Sequence, residues 1–125
     1  MIEAVRLAFI LPANSPVEES GKRTVAAIPS KHVATPEYPI TSDMSLIAAH
    51  RLGMEGYLVQ DGNHRLARLT QFLGLGAEVI ITVFSPFENA GTTALCVRGL
   101  KLTKEDGINN IGDFLKMCLE NKFYS

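Results

Sequence analysis

Apolar positions first cluster at Ala4–Leu11, a β-leaning run that only Arg6 interrupts and Pro12 stops. Asn14-Ser15-Pro16 and Glu18–Arg23 follow as a polar, turn-rich stretch expected to be a surface loop or hairpin tip. Thr24–Ile28 reads as a returning strand closed by Pro29. The segment onward to Pro39, which also holds Pro36, is expected to be extended and irregular. Ser42 is placed to cap a helix over Asp43–Leu52. Asp43 puts negative charge at its favourable end, Met44, Ile47, Ala48 and Leu52 supply an apolar stripe, and Gly53 terminates it.

The second half is more strongly patterned. Gly56–Gln60 is a short buried strand, Asp61-Gly62-Asn63 turns the chain, and His64–Leu73 is helical up to the stop at Gly74 and Gly76. Glu78–Phe84, rich in β-branched residues, is the clearest strand. Thr93–Val97 predicts a further strand. Thr103 with Asp106 resembles an acidic capping box ahead of a helix carrying Ile108, Ile111, Leu115 and Leu119 at helical spacing. The order β, β, α, β, α, β, β, α describes a mixed α/β or α+β domain without internal repeat or dividing linker.

Composition narrows the class. A chain of 125 residues favours one domain over residues 1–125, and 46% hydrophobic with 20% charged residues is ordinary for a globular protein. Lys and Arg number 12 against 13 Asp and Glu, so the net charge of −1 draws the molecule as a whole towards neither nucleic acid nor an anionic membrane. Any such binding has to come from a local patch. Cys96 and Cys118 lie far apart among apolar neighbours, as reduced core thiols do. The N-terminus shows no basic region leading into an apolar stretch, and its apolar run ends too early to span a bilayer. A cytoplasmic protein with no membrane partner is expected.

The residues with the most chemistry lie at Asp61-Gly62-Asn63-His64-Arg65. Gly62 tolerates backbone angles forbidden to other residues, and Asn63 suits a turn or a helix cap. The helix behind starts with amides that lack internal partners and carry the positive end of the dipole. On a helical wheel Leu66, Leu69 and Leu73 share the core face. His64 and Arg68 lie together opposite, with Arg65 at the border. Basic side chains crowded at a positive helix end repel one another unless an anion joins them, and phosphate or a carboxylate removes the conflict. Asp61 would then orient a basic side chain or help hold a metal. The plainer reading is a common strand–turn–helix junction with solvated arginines.

The segment Gly56–Val83, GYLVQDGNHRLARLTQFLGLGAEVIITV, resembles the signature of the ParB/sulfiredoxin-like superfamily. There a strand leads to a Gly-x-[His/Arg]-Arg turn, a helix, a Leu-Gly stop and a Val-rich strand. Asp61–Arg65 is most similar to the versions found in free-serine kinases and stand-alone ParB-like proteins, and Val25–Pro29 with Val33 resembles the opening of these domains. The resemblance implies an α+β fold, a single compact domain with a small mixed sheet and about three helices. It also implies a nucleotide site, with ATP, ADP or CTP and Mg²⁺ as the cofactors. Asn63 stands where sulfiredoxins carry their nucleophilic cysteine, so that chemistry is not expected. Ala67 replaces the last arginine of the ParB box, and the short chain after Phe84 lacks room for the helix-turn-helix that follows it in ParB. The kinases need a further carboxylate, for which Glu18, Glu19, Glu37 and Asp43 are available.

The expectation is therefore a domain binding a nucleotide or other phosphate ester. Gly62, Asn63, His64, Arg65 and Arg68 would hold the phosphate, and Asp61, His64 and Arg65 would act in any Mg²⁺-assisted hydrolysis or kinase-like phosphoryl transfer. The alternative is a non-enzymatic regulatory module whose basic turn meets a nucleic-acid backbone or an acidic protein surface. His32, His50 and His64 with the two cysteines show no metal-ligand spacing. Ser30-Lys31-His32 reads as an ordinary polar loop. The apolar stripe of the last helix, with Phe114, Met117, Phe123 and Tyr124, is expected to pack on the core.

Overall fold

The computed structural model describes residues 1–19, 33–37 and 46–121. In chain order these form β1 (Ile2–Arg6), a 3₁₀ turn (Leu7–Phe9), β2 (Ile10–Pro12), β3 (Ala48–Leu52), β4 (Gly56–Val59), α1 (Asn63–Leu73), β5 (Glu78–Phe84), α2 (Ala90–Glu105) and α3 (Ile111–Leu119). One mixed sheet of five strands runs β1-β5-β3-β4-β2. β1 is antiparallel to β5 and β3 antiparallel to β4, whereas β3–β5 and β2–β4 are parallel. This is an α+β fold with a small mixed sheet and, among the described residues, three α-helices, as the sequence predicts.

The run Ala4–Leu11 is not one strand. Leu7–Phe9 leave the β conformation, Leu7 and Ala8 donating their amides to the carbonyls of Ala77 and Leu75, both at 2.9 Å. This turn carries the chain from one edge strand to the other. In a flat sheet those edges would lie about 19 Å apart, yet the steps from Arg6 to Ile10 span at most about 14 Å. The sheet must therefore curl, bringing its edges together around the main core. Val5, Leu7, Ile10, Ala49, Val59, Val79, Ile81 and Val83 face inward there. Leu66 and Ala67 of α1 and Ile111, Phe114, Met117 and Cys118 of α3 pack upon them.

Alternation along the strands sends the other side chains to the opposite face. There Leu11 and Leu58 meet Cys96 and Leu100 of α2. His50, 5% exposed, joins them, its Nδ1 3.0 Å from Thr93 Oγ1 and its ring 5.6 Å from that of Phe84. Both cysteines are buried and unpaired; burial raises the Cys96 thiol and pushes Cys118 up to about 11.

Three further expectations are corrected. Ala48–Leu52, assigned to the end of a helix, is strand β3, because both its edges are taken by β4 and β5. Ladder pairing of this kind outweighs the weak helical stripe. Thr93–Val97 lies inside α2, where Thr93, Cys96, Leu100 and Thr103 are buried at helical spacing. Thr103 caps nothing: its hydroxyl donates to Gly99 O at 2.7 Å. The cap of α3 is Asn110, whose Oδ1 accepts from Asp113 N at 3.0 Å, while Asp113 Oδ2 accepts from Asn109 N at 2.8 Å. The expected strand Thr24–Ile28, Ser42, Asp43 and the loop Ser30–His32 lie outside the described residues, as do Phe123 and Tyr124. Among the described residues no helix is long and apolar enough to cross a membrane.

Candidate anion-binding turn

Strand β4 ends at Val59, and Gln60 and Asp61 turn outward into solvent. Gly62 then reverses the chain at φ 111°, ψ 3°, as the N-cap of α1. A Cβ here would lie 2.8 Å from Ile47 Cγ1 and 3.2 Å from Arg65 Nη2, so both backbone angle and packing demand glycine. Having no side chain, Gly62 cannot cap the helix. The first helical bond runs from Leu66 N–H to Gly62 O at 3.0 Å, so the amides of Asn63, His64 and Arg65 stand ahead of it at the positive end of the dipole.

The predicted site residues divide into two groups. Arg65 is half-buried and folds back so that its guanidinium lies over Gly62, making no hydrogen bond or ion pair among the described residues. No acidic residue occupies the first turn of the helix. His64 stands beside it, its ring edge-on to Phe114 with centroids 4.9 Å apart and its Nε2 accepting from Val17 N–H at 3.3 Å. A neutral ring that accepts at Nε2 carries its proton on Nδ1. Asp61 is exposed and orients neither basic side chain.

Arg68 and the Asn63 side chain are elsewhere. Arg68 is 5% exposed, with its guanidinium carbon 4.3 Å above the Phe72 ring and Nη1 donating to Gln71 Oε1 at 3.1 Å. The wheel placed it on an outer face, whereas the structure buries it. Leu73, predicted inward, is 53% exposed instead. Asn63 is 2% exposed and turned into the protein, Nδ2 donating to Val59 O at 2.8 Å and to Asn14 Oδ1 at 3.2 Å. Its Oδ1 is buried with no donor. Only its backbone amide can face a ligand.

The loop Ala13–Val17 is the part of the site that sequence reasoning passed over. Ala13 N–H donates to Val59 O at 2.8 Å and Asn14 Nδ2 to Gln60 O at 2.5 Å, binding the loop to the strand that feeds the turn. The signal was an Asn-Ser-Pro directly after an apolar strand, which marks a turn but not what the turn touches. Behind the loop lies a groove of about 640 Å³, floored by Gly99 and edged by Asp106 and Glu18. Glu18, Glu19 and Glu37 are exposed. Among the described residues no group of three or more His, Cys, Asp or Glu side chains could hold a metal ion.

The turn thus brings together the first amides of α1 and the half-buried Arg65 guanidinium, with the His64 ring set against Val17 and Phe114. Helix amides beside a guanidinium are groups that can donate to an oxyanion. No family model, curated protein or solved structure matches the chain.

Proposed function

We propose that this domain binds the phosphate group of a nucleotide or related phosphate ester at the turn Gly62–Arg65. The observation that carries the reading is the start of α1 at a glycine cap, with Arg65 folded across it and no carboxylate in that first turn. A guanidinium desolvated beside helix amides gains most from an oxyanion that accepts from both. The resemblance of Gly56–Val83 to the ParB/sulfiredoxin-like superfamily supports the same assignment and favours a nucleotide over simpler esters.

Phosphoryl transfer or hydrolysis is the chemistry such a site serves, since it needs positioning and charge neutralisation more than covalent help. Mg²⁺ is commonly held by substrate phosphates with one or two carboxylates. Asp61, exposed beside the turn, would reach such an ion through water. Gly62 gives close backbone approach, Arg65 neutralises charge and His64 adds an imidazole to the same turn.

Calorimetry with ATP, ADP, CTP and GTP, with and without Mg²⁺, tests the reading. Micromolar binding of at least one nucleotide, lost in Arg65→Ala, is the expected result. Absence of binding by all four, with salt-sensitive binding of DNA or an acidic protein retained, would overturn it in favour of a regulatory binding module.

A further inference from the structure

We infer that the groove between α2 and the loop Ala13–Val17 binds a small organic amine, an ammonium group carried on an apolar body. This site is separate from the turn Gly62–Arg65 and goes beyond the function proposed above. Its volume of about 640 Å³ lies in the range of pockets that hold small molecules. Ala13, Pro16, Val17 and Leu102 give it apolar walls, and Gly99 forms its floor. A Cβ on Gly99 would overlap the Ala13 carbonyl oxygen, so only glycine lets helix and loop close against each other at the base.

The polar lining decides the class of ligand. Asp106 closes α2 with its backbone, its N–H donating to the carbonyls of Leu102 and Thr103 at 3.2 and 3.1 Å. Its carboxylate therefore sits at the negative end of a 16-residue helix, where a cation is favoured and an anion is not. Oδ2 accepts from Ser15 Oγ at 2.5 Å, and Oδ1 has no hydrogen-bond partner among the described residues. Ser15 has thereby committed its hydroxyl proton, and Thr103 has committed its own to Gly99 O at 2.7 Å. Towards a ligand both hydroxyls can only accept. Asn14 supplies the side-chain N–H of the described lining, and its Nδ2 already donates to Gln60 O at 2.5 Å.

Acceptors with a carboxylate among them call for a cationic donor. Among the described residues no Lys, Arg or His lines the groove, and its second charged residue, Glu18, is also acidic. Lys104, in the last turn of α2, is exposed and stands outside the lining. A divalent metal ion needs several oxygen ligands, and no group of three or more ligating side chains occurs among the described residues. A primary ammonium carries three donors on one nitrogen and needs only one carboxylate. Its apolar body would cover Val17 and Leu102, which are 60% and 58% exposed.

The test is ¹H–¹⁵N NMR of the full chain, titrated at neutral pH with benzylamine, isopentylamine and the uncharged benzyl alcohol. Both amines should move the amides of Ser15, Gly99 and Leu102 to saturation. Benzyl alcohol should bind about tenfold more weakly than benzylamine, the scale of one hydrogen bond to a charged group. Asp106→Asn keeps the backbone cap and an acceptor for Ser15, and should bring benzylamine down to the level of the alcohol. Leu102→Lys places a competing ammonium at an exposed position of the wall and should abolish amine binding. It carries the test if Asp106→Asn does not fold. Equal binding of amine and alcohol, or an Asp106→Asn variant that still prefers the amine, would overturn the inference. Failure of both amines to shift these amides would overturn it too, and a shift with a lysine-rich peptide alone would make the groove a protein contact instead. Loss of nucleotide binding by itself bears only on the turn, because the turn Gly62–Arg65 and the groove lining share no residue.

Discussion

Replacing Gly62 with alanine should destabilise the protein by about 1–6 kcal/mol, and the structure shows where that figure comes from. At φ 111° the backbone lies outside the regions open to a residue with a Cβ; such strain costs about 1–3 kcal/mol. The new methyl would also meet Ile47 Cγ1 at 2.8 Å and Cδ1 at 2.9 Å. Ile47 is 3% exposed and has no room to withdraw, so overpacking adds about 1–3 kcal/mol. The reduced entropy of the unfolded chain returns at most about 1 kcal/mol. Gly53 is the control: it too has positive φ, 50°, but nothing lies within 4 Å of its Cβ position. Gly53→Ala should therefore cost only the αL penalty, about 1–2 kcal/mol. Urea unfolding of the two variants beside the parent measures both. Since domains of this size hold about 5–15 kcal/mol, each should remain folded enough to analyse. A Gly62→Ala loss no larger than that of Gly53→Ala would refute the steric reasoning.

Further expectations separate structural from ligand-facing residues. Arg68→Ala should lose about 1–3 kcal/mol of stability through lost packing on Phe72, yet leave phosphate affinity within about twofold, whereas Arg65→Ala should do the reverse; calorimetry and urea midpoints on both variants decide. Burial holds His50 below its ordinary pKa of 6.5. The unfolded chain therefore takes up a proton at higher pH than the folded one, so this contribution to stability is present above the unfolded value and is lost as pH falls below it. Urea midpoints between pH 7.5 and 5.0 should fall less in His50→Leu than in the parent, and an equal fall would exclude His50 as a cause.

What was legible in the sequence was local. Gly56–Phe84 reads correctly as strand, turn, helix and strand because each boundary is set by neighbours: Gly62 and Gly74 at the helix ends and a β-branched run in β5. Errors appear where distant residues decide. Ala48–Leu52 has a tolerable helical stripe, but two strands are waiting to pair with it. Thr93–Val97 has strand-like composition, but the exposed face of β2 and β4 needs a helix to cover Leu11 and Leu58. Periodicity within a short window cannot weigh such partners.

The same division runs through the site. The turn itself was visible, whereas its flank, Ala13–Val17, reaches it only because β2 and β4 run parallel, with Pro12 set against Val59. Asn63 shows the point most sharply. Asparagine is among the best helix caps, and at the cap position it would have occupied an amide of α1. Here it sits one residue later, with Gly62 at the cap, and its side chain bolts the turn to Val59 and Asn14. It leaves a buried oxygen without a donor in doing so, at a cost of about 1–3 kcal/mol. A turn under selection only for stability would exchange the two roles. Holding the turn rigid from within while keeping a glycine at its tip is the arrangement that the proposed oxyanion site would use.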